Sequence, residues 1–293
     1  MRWFSSEQLL TNYDGFILDA YGVFWSGAYV FESAKQFMQQ VIQAGKPLVV
    51  LSNATQMADE ESGKYGSFGL LQDIHYNALL TSGQITRYLA QEKRVPFESH
   101  WKKYFPWWPM HPNFKAPYQN IFECTPFSET HSLAKADFIY LNTPYFEGRD
   151  QEHPAVFEEE LKQISQTHLP VICPNPDYFA QHGQPPVFMV RQGILAARLQ
   201  KMGVDVRYIG KPEEAVFTYA CEKLREFKKD LSRIVIVGDN PQTDIRGAKK
   251  VNLDSALLVE TGILSHLYPQ YSLQELDQVL SWDEKPTYFL KRL

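Results

Sequence analysis

FILDAYGVFW, residues 16–25, runs three apolar residues into Asp19 and then turns through Ala20, Tyr21 and Gly22. A carboxylate just past the end of an apolar strand, followed by a glycine turn, is where an open α/β sheet places a nucleophile or a metal ligand. Outward from this point, residues 13–19 read as a buried strand. Residues 33–45 read as a helix: Ser33 and Gln36 suggest a capping box, Ala34, Phe37, Met38, Val41 and Ile42 share one face, and Gly45 ends it. KPLVVLSN (46–53) is a second buried strand stopping at polar Ser52. Residues 56–69 form a weak helix containing Gly63 and Gly66, and Thr81-Ser82-Gly83 opens another.

The same texture returns far downstream. VDVRYIG (204–210) reads as a strand ending at Gly210-Lys211-Pro212. Residues 212–227 form a helix with Pro212 in its first turn and Phe217, Cys221 and Leu224 on one face. RIVIVGD (233–239) is a continuous apolar strand, and SALLVETG (255–262) reads as the last one. Continuous apolar runs alternating with helices indicate a parallel sheet covered on both faces. Between these blocks the Pro- and aromatic-rich segment YFPWWPMHPNFKAPYQNIF (104–122) leads into a further set of strands and helices. The expected fold class is α/β: a doubly wound parallel-sheet core formed by residues 1–83 and 206–293, with residues 84–205 inserted as an α/β cap.

Composition narrows the function. A formal charge of −5 leaves no basic footprint for nucleic acid. The N-terminus lacks the apolar core and small-residue site of a signal peptide, and no apolar run reaches membrane-spanning length, so a cytoplasmic protein with no membrane partner is expected. Cys124, Cys173 and Cys221 are scattered without CxxC spacing, which fits reduced thiols better than disulfides or a zinc site.

Strand ends carry Asp19, Ser52, Lys211 and Asp239, with Asp244 opening the next helix. Carboxylates of this kind suit Mg²⁺, which favours oxygen ligands and a substrate phosphate. A hydroxyl, a lysine and backbone N–H groups suit phosphate oxygens. One carboxylate can attack phosphorus and later be released by water. Together, LDAYGVFW (18–25), LSNAT (51–55), TSG (81–83), NPD (175–177), GKP (210–212), GDNPQTDIRGA (238–248) and VETG (259–262) resemble the haloacid dehalogenase superfamily, and within it the subclass IIA branch of 4-nitrophenylphosphatase-like and nucleotide-phosphatase-like members.

The resemblance implies a Mg²⁺-dependent phosphatase acting on a small phosphorylated metabolite. Asp19 would be nucleophile and metal ligand, the Tyr21 carbonyl and Asp239 further ligands, and Asp244 a direct or water-mediated support. Ser52, with the Asn53 backbone, would grip phosphate, and Lys211 would neutralise Asp19 and the phosphoryl group. Asn175 and Asp177 would stand at the mouth of the site, beneath a cap through which relatives often dimerise.

One position departs from the pattern. Phosphatases of this family usually carry Asp two residues after the nucleophile as general acid/base, and here it is Tyr21. A phenol, with a pKa near ~10, donates a proton but is a poor base at neutral pH, and loss of a positioned acid/base costs on the order of 10²–10⁴-fold. Weak or narrow phosphatase activity is therefore expected. Two alternatives stay open: a protein that binds a phosphorylated ligand or a partner with little turnover, and a 2-haloacid dehalogenase, whose first motif is also Asp-x-Tyr-Gly. Retention of Asp239 and Asp244, and the interval of about thirty residues between Asp19 and Ser52, too short for a cap, favour the phosphatase. NPD is also a good turn former. Tyr104, Phe105, Trp107 and Trp108 fit cap core or an interface better than substrate stacking, and His100, His111 and His131 lack metal-ligand spacing.

Overall fold

The computed structural model describes residues 2–108, 120–183 and 185–293. The strands are β1 (Gly15–Leu18), β2 (Leu48–Ser52), β3 (Ala78–Thr81), β4 (Lys103–Trp107), β5 (Ser128–Glu129), β6 (Phe138–Leu141), β7 (Val171–Cys173), β8 (Phe179–His182), β9 (Val187–Val190), β10 (Val206–Tyr208), β11 (Ile234–Gly238), β12 (Asp254–Leu258) and β13 (Tyr288–Leu290). The helices that matter for the site are α1 (Ser6–Asn12), α2 (Glu32–Gln43), α3 (Ala58–Gly66), α4 (Ser82–Gln91), α5 (Glu158–Gln166), α6 (Gln192–Lys201), α7 (Glu214–Phe227) and α8 (Arg246–Lys250).

A six-stranded sheet runs in the order β13-β12-β11-β1-β2-β3, and every pairing in it is parallel. The chain fills β1, β2 and β3 on one side and later returns to place β11, β12 and β13 on the other. The switch point therefore lies between β1 and β11, where Ile17 sits beside Ile236. Ligands bind in the crevice past the carboxyl ends of the strands at such a point. β1, β2 and β11 are buried along their whole length because helices cover both faces, which is why their sequences run apolar rather than alternating.

A second, five-stranded parallel sheet has the order β10-β7-β6-β4-β5, and β8 and β9 make an antiparallel hairpin. The two sheets share apolar packing: Ile17, Val49 and Leu51 of the first belong to one buried cluster with Tyr104 and Phe138 of the second. The aromatic segment builds this second unit. Tyr104 lies 4.1 Å from Phe122, and Trp108 meets Phe157 edge-on at 5.5 Å. Residues 109–119, His111 among them, lie outside the described residues. No helix among the described residues is long and apolar enough to cross a membrane.

Several expectations are corrected. The strand at 204–210 pairs through Val206 with Val171, so it closes the edge of the second sheet, and the chain re-enters the first only after Tyr208 rather than at 206. A short apolar strand carries no mark of which parallel sheet will accept it. The capping box at Ser33 does not form, because α2 begins at Glu32 with Phe31 as its N-cap. Pro212 precedes α7, whose N-cap is Glu213, and is not in the first turn. β12 is not the last strand, since Tyr288–Leu290 pairs with it. Gly45, at φ +66° beyond the C-cap of α2, ends that helix as expected.

The NPD loop is pinned by α6. A Cβ on Gly193 would stand 2.0 Å from the Pro176 carbonyl oxygen and 2.6 Å from that of Asp177. Both are backbone atoms, so nothing flexible can yield. Gly193→Ala is expected to lower stability by about 1–3 kcal/mol in urea unfolding and to displace the loop that carries Asn175 and Asp177. An unchanged midpoint would contradict this contact.

Candidate active site

The site grows from the ends of β1 and β11. Past Leu18 the chain breaks into a turn in which the Ala20 carbonyl accepts from the amides of Val23, Phe24 and Trp25, and the Gly22 amide donates to the Trp25 carbonyl. None of these bonds uses the Tyr21 carbonyl. Gly22 has φ +78°, and a Cβ there would fall 2.0 Å from Asp239 Oδ2; one on Gly262 would fall 1.9 Å from the same atom. The two glycines thus form a cradle that lets backbone close around a carboxylate.

Asp19, Asp239 and Asp244 come together here, with one ligand atom from each within 4.8 Å of the others, all three residues buried. Lys211 Nζ donates to Asp19 Oδ1 at 2.5 Å and to Asp244 Oδ1 at 2.7 Å. Asp244 Oδ2 accepts from the Asn240 amide at 3.1 Å, so both its oxygens are engaged. Asp239 Oδ2 accepts from the Ile263 amide at 2.8 Å, which leaves its other oxygen for a ligand. Asn53 turns its side chain to Lys211. Its Oδ1 accepts from the Lys211 amide at 2.7 Å and its Nδ2 donates to the Lys211 carbonyl at 3.2 Å, so it holds the lysine's backbone in place. Gly210, at φ +106°, makes room for this clamp. Ser52 Oγ accepts from the Ala54 amide at 3.2 Å and keeps its own proton to give.

The TSG and NPD motifs meet. Thr81 caps α4 by accepting from the Gln84 amide and donates to the Gln56 carbonyl at 2.7 Å. Ser82 Oγ donates to the Pro174 carbonyl. Asn175 Oδ1 accepts from the Asp177 amide at 2.9 Å, a local turn. The Asp177 carboxyl is hydrogen-bonded to Asn53 and Thr243, so it reaches across to the first sheet.

Tyr21 points to the opposite wall. Its hydroxyl accepts from Lys64 Nζ at 3.0 Å, and Lys64 is also within 3.2 Å of the buried Glu61. The same ammonium lies over the rings of Tyr21, Trp25 and Tyr65 at 5.2–5.6 Å. Burial alone would pull the Lys64 ammonium down, but Tyr21 and Glu61 more than offset it and Lys64 remains charged. Asp19, Ser52, Asn53, Asn175, Asp177 and Asp239 all border one cavity of about 690 Å³, which Tyr21 and Lys64 also line. Tyr104, Phe105, Trp107 and Trp108 do not border it, which agrees with their core role. His131 is exposed beside Glu129, and His100 is exposed next to Trp101.

Lys64, Glu61, Thr243 and Ile263 were not singled out from the sequence. Lys64 and Glu61 sit on an unremarkable charged helix, and only the tertiary fold turns them toward Tyr21. Thr243 lay inside a quoted motif without a role of its own.

Two haloacid dehalogenase-like hydrolase family models match the chain, one over residues 16–101 and the other over residues 208–293. The chain belongs to the haloacid dehalogenase-like hydrolases. Within them it has the subclass IIA arrangement, with the second sheet inserted between the Ser52 and Lys211 motifs. It is 23% identical over 292 residues to an acid sugar phosphatase of Staphylococcus aureus strain MRSA252, covering 94% of this chain and 100% of that protein. A haloacid dehalogenase-like hydrolase of Brucella suis 1330 superposes with a TM-score of 0.77 at 21% identity, over 98% of each chain. A glycerol phosphate phosphatase of Mycobacterium tuberculosis in complex with magnesium superposes with a TM-score of 0.64 at 18% identity, over 99% of this chain and 77% of that one.

The residues present fit a divalent cation. Three carboxylates converge around one ammonium, in a glycine cradle, with oxygen donors of the kind Mg²⁺ prefers. Burial, opposed by Lys211 and reinforced by Asp244 and Asp177, pushes the Asp19 carboxyl up to about 7. Burial, partly offset by Lys211, pushes Asp177 up to about 6. Burial, with Asp19 and Asp244 adding to it, holds Asp239 well above the carboxylate range. Lys211 is driven the other way by burial, but Asp19, Asp244 and Asp177 together raise it and keep it charged.

Two outcomes follow. Lys211→Met strands buried carboxylates without their cation, and a change of this kind costs about 3–5 kcal/mol; urea unfolding in chelator should show that loss, reduced when Mg²⁺ is added. Second, raised carboxyls stabilise the metal-free fold below about pH 4, and that contribution is lost as pH climbs through the values near 6 and 7 held by Asp177 and Asp19. Mg²⁺ competes with the same protons. Its stabilising shift in melting temperature should therefore be larger at about pH 7.5 than at about pH 5; equal shifts would place the cation elsewhere.

Proposed function

We propose that the protein is a Mg²⁺-dependent phosphomonoesterase that works through a phosphorylated Asp19 and acts on a small phosphorylated metabolite. The observation that carries this reading is Lys211 held between Asp19 and Asp244 at the switch point of the parallel sheet. Asp19, Asp239 and the Tyr21 carbonyl would hold the cation, with Asp244 in support. When bound, the cation supplies charge to offset the approach of an anionic phosphate to a carboxylate.

The chain's own residues do the rest. Ser52 Oγ donates to a phosphate oxygen, and Lys211 screens Asp19 as its free oxygen attacks phosphorus. The Asp19–phosphorus bond forms as the bond to the leaving oxygen breaks. Tyr21, which lines the same cavity as Asp19, would meet that oxygen as it departs. Because its hydroxyl accepts from Lys64, the proton it still holds is available to the leaving group. A phenol is protonated at neutral pH and enters the first step as the acid. The phenolate left behind lies beside the Lys64 ammonium. It can take a proton from water as that water attacks phosphorus and releases the Asp19 carboxylate. A phenol suited to the first step is ill-matched to neutral pH if the phenolate is reprotonated early, which limits turnover.

The names of the relatives support a phosphate ester as substrate: acid sugar phosphatase, glycerol phosphate phosphatase and 4-nitrophenylphosphatase. The retained carboxylate triad weighs against a dehalogenase, whose chemistry needs no divalent cation. Phosphate release from an aryl phosphate is expected with Mg²⁺ and not with chelator. Asp19→Asn should abolish it, and Tyr21→Asp should raise it by about 10²-fold. Turnover that survives Asp19→Asn, or conversion of a 2-haloacid without any phosphatase activity, would overturn the proposal.

A further inference from the structure

Two loops wrap Asp239. One follows β1 and contains Gly22; the other follows β12 and contains Gly262 and Ile263. A Cβ on Gly22 would fall 2.5 Å from the Gly262 Cα, so the loops touch at the cradle itself. The Ile263 amide that donates to Asp239 Oδ2 at 2.8 Å stands at the mouth of a further helix, α9 (Leu264–Leu267). The Leu267 amide donates back to the Ile263 carbonyl at 3.0 Å. A helix of four residues has little stability of its own and is held by what it packs against. Leu264 anchors it in an apolar cluster with Ile245 and Leu257.

Its His266, which is otherwise exposed, packs on the hairpin of β8 and β9. The imidazole stacks on Phe188, with ring centroids 4.2 Å apart and planes 15° from parallel, and meets Phe179 edge-on at 4.8 Å. The antiparallel register sets Gln181 opposite Phe188 and Phe179 opposite Val190, so the two phenyl groups share one face of the hairpin. The hairpin also reaches the first loop. A Cβ on Gly27 would stand 2.8 Å from the Gln181 carbonyl oxygen and 3.2 Å from the His182 Cα. The rings of Tyr21 and His182 lie 6.1 Å apart. At the end of β9 the hairpin is tied to the inserted unit: the Val190 amide donates to the Gln151 carbonyl at 2.7 Å, and Arg191 Nη1 donates to Asp150 Oδ1 at 2.9 Å.

We propose that the β8–β9 hairpin is a clamp across the two loops that wrap Asp239, with Phe188 and His266 as positioning residues for that cation ligand. The inference rests on the Mg²⁺-dependent reading and adds to it a means by which the inserted unit acts on the metal site.

Two observations carry it. Asp239 presents one oxygen to a cation while the other is held by the Ile263 amide, and a main-chain donor points only where its loop points. Loss of a hydrogen-bond partner of a metal-binding carboxylate typically costs about 10–100-fold in metal affinity. Here the donor stays and only its placement loosens, so a smaller effect is expected. Moreover, neither Phe188 nor His266 borders the cavity. They touch neither substrate nor cation, so an effect of either on the cation has to pass through the loops.

The test is calorimetric titration of Mg²⁺ into wild type, Phe188→Ala and His266→Ala. Each variant should raise Kd about fivefold or more. The double variant should bind no more weakly than either single one, because both remove the same contact. His266→Phe keeps a flat ring and should return Kd to within about twofold of wild type. Phe188→Leu keeps apolar volume without the ring and takes the place of the alanine variant if that does not fold. Unchanged Kd in the single variants, even with a lower melting temperature, would overturn the clamp, and so would losses that add in the double variant. If wild type binds no Mg²⁺, the cation reading fails separately, and hydrogen exchange in the metal-free protein decides the clamp. Exchange of the Ile263 amide that is about tenfold faster in both variants supports it, and unchanged exchange refutes it.

Discussion

The ammonium of Lys211, shared by Asp19 and Asp244, is the constraint around which this molecule is arranged. Buried charge is costly, and a buried pair stabilises little unless its remaining hydrogen bonds are satisfied. Here they are satisfied by backbone: Asn240 serves Asp244, Ile263 serves Asp239, and Asn53 holds the main chain of Lys211 from both sides. The excess of carboxylate over ammonium leaves an acidic hollow at the switch point. In the proposed reaction a cation and a phosphate would complete an arrangement that is unfavourable by itself.

Much of this was legible because strand ends in a parallel sheet concentrate function, and Asp19, Ser52 and Asp239 each follow an apolar run that could hardly be anything but a buried strand. Lys211 was legible for a different reason, since its place beside Pro212 matched a motif while its strand belongs to the other sheet. What the sequence hid is tertiary. Val206–Tyr208 reads equally well as a strand of either sheet, and only its pairing with Val171–Cys173 decides between them. Asn53 was expected to serve phosphate through its backbone, and the clamp of its side chain on the Lys211 backbone was not foreseen. Asp150 pairs with Arg191 across 41 positions of the chain, which no spacing rule could have joined.

Tyr21 shows how one substitution is absorbed by its surroundings. A phenol two residues after the nucleophile is a deficiency if only the local motif is considered. In the fold it is one member of a half-buried set with Lys64 and Glu61, backed by Trp25 and Tyr65. The ammonium fixes the direction of the hydroxyl and would stabilise the oxygen after its proton has left. A neighbouring helix thus gives the phenol a charged partner, and α3, with its glycines and weak helical pattern, is held in place by aromatic rings.

The contact between Asp19 and Lys211 spans 192 positions of the chain. At ribosomal speeds of roughly 5–20 residues per second, β1 emerges on the order of ten seconds or more before its lysine exists. Its neighbour β11 is made later still, since Gly15 pairs with Ile234. During that interval the nascent chain carries β1, β2 and β3 with one face of the central strand unpaired and its acid unneutralised. An unpaired apolar edge is a template for association with other chains. The same switch-point topology that makes the catalytic crevice therefore leaves a strand edge of the newborn protein unpaired until its last third has been synthesised.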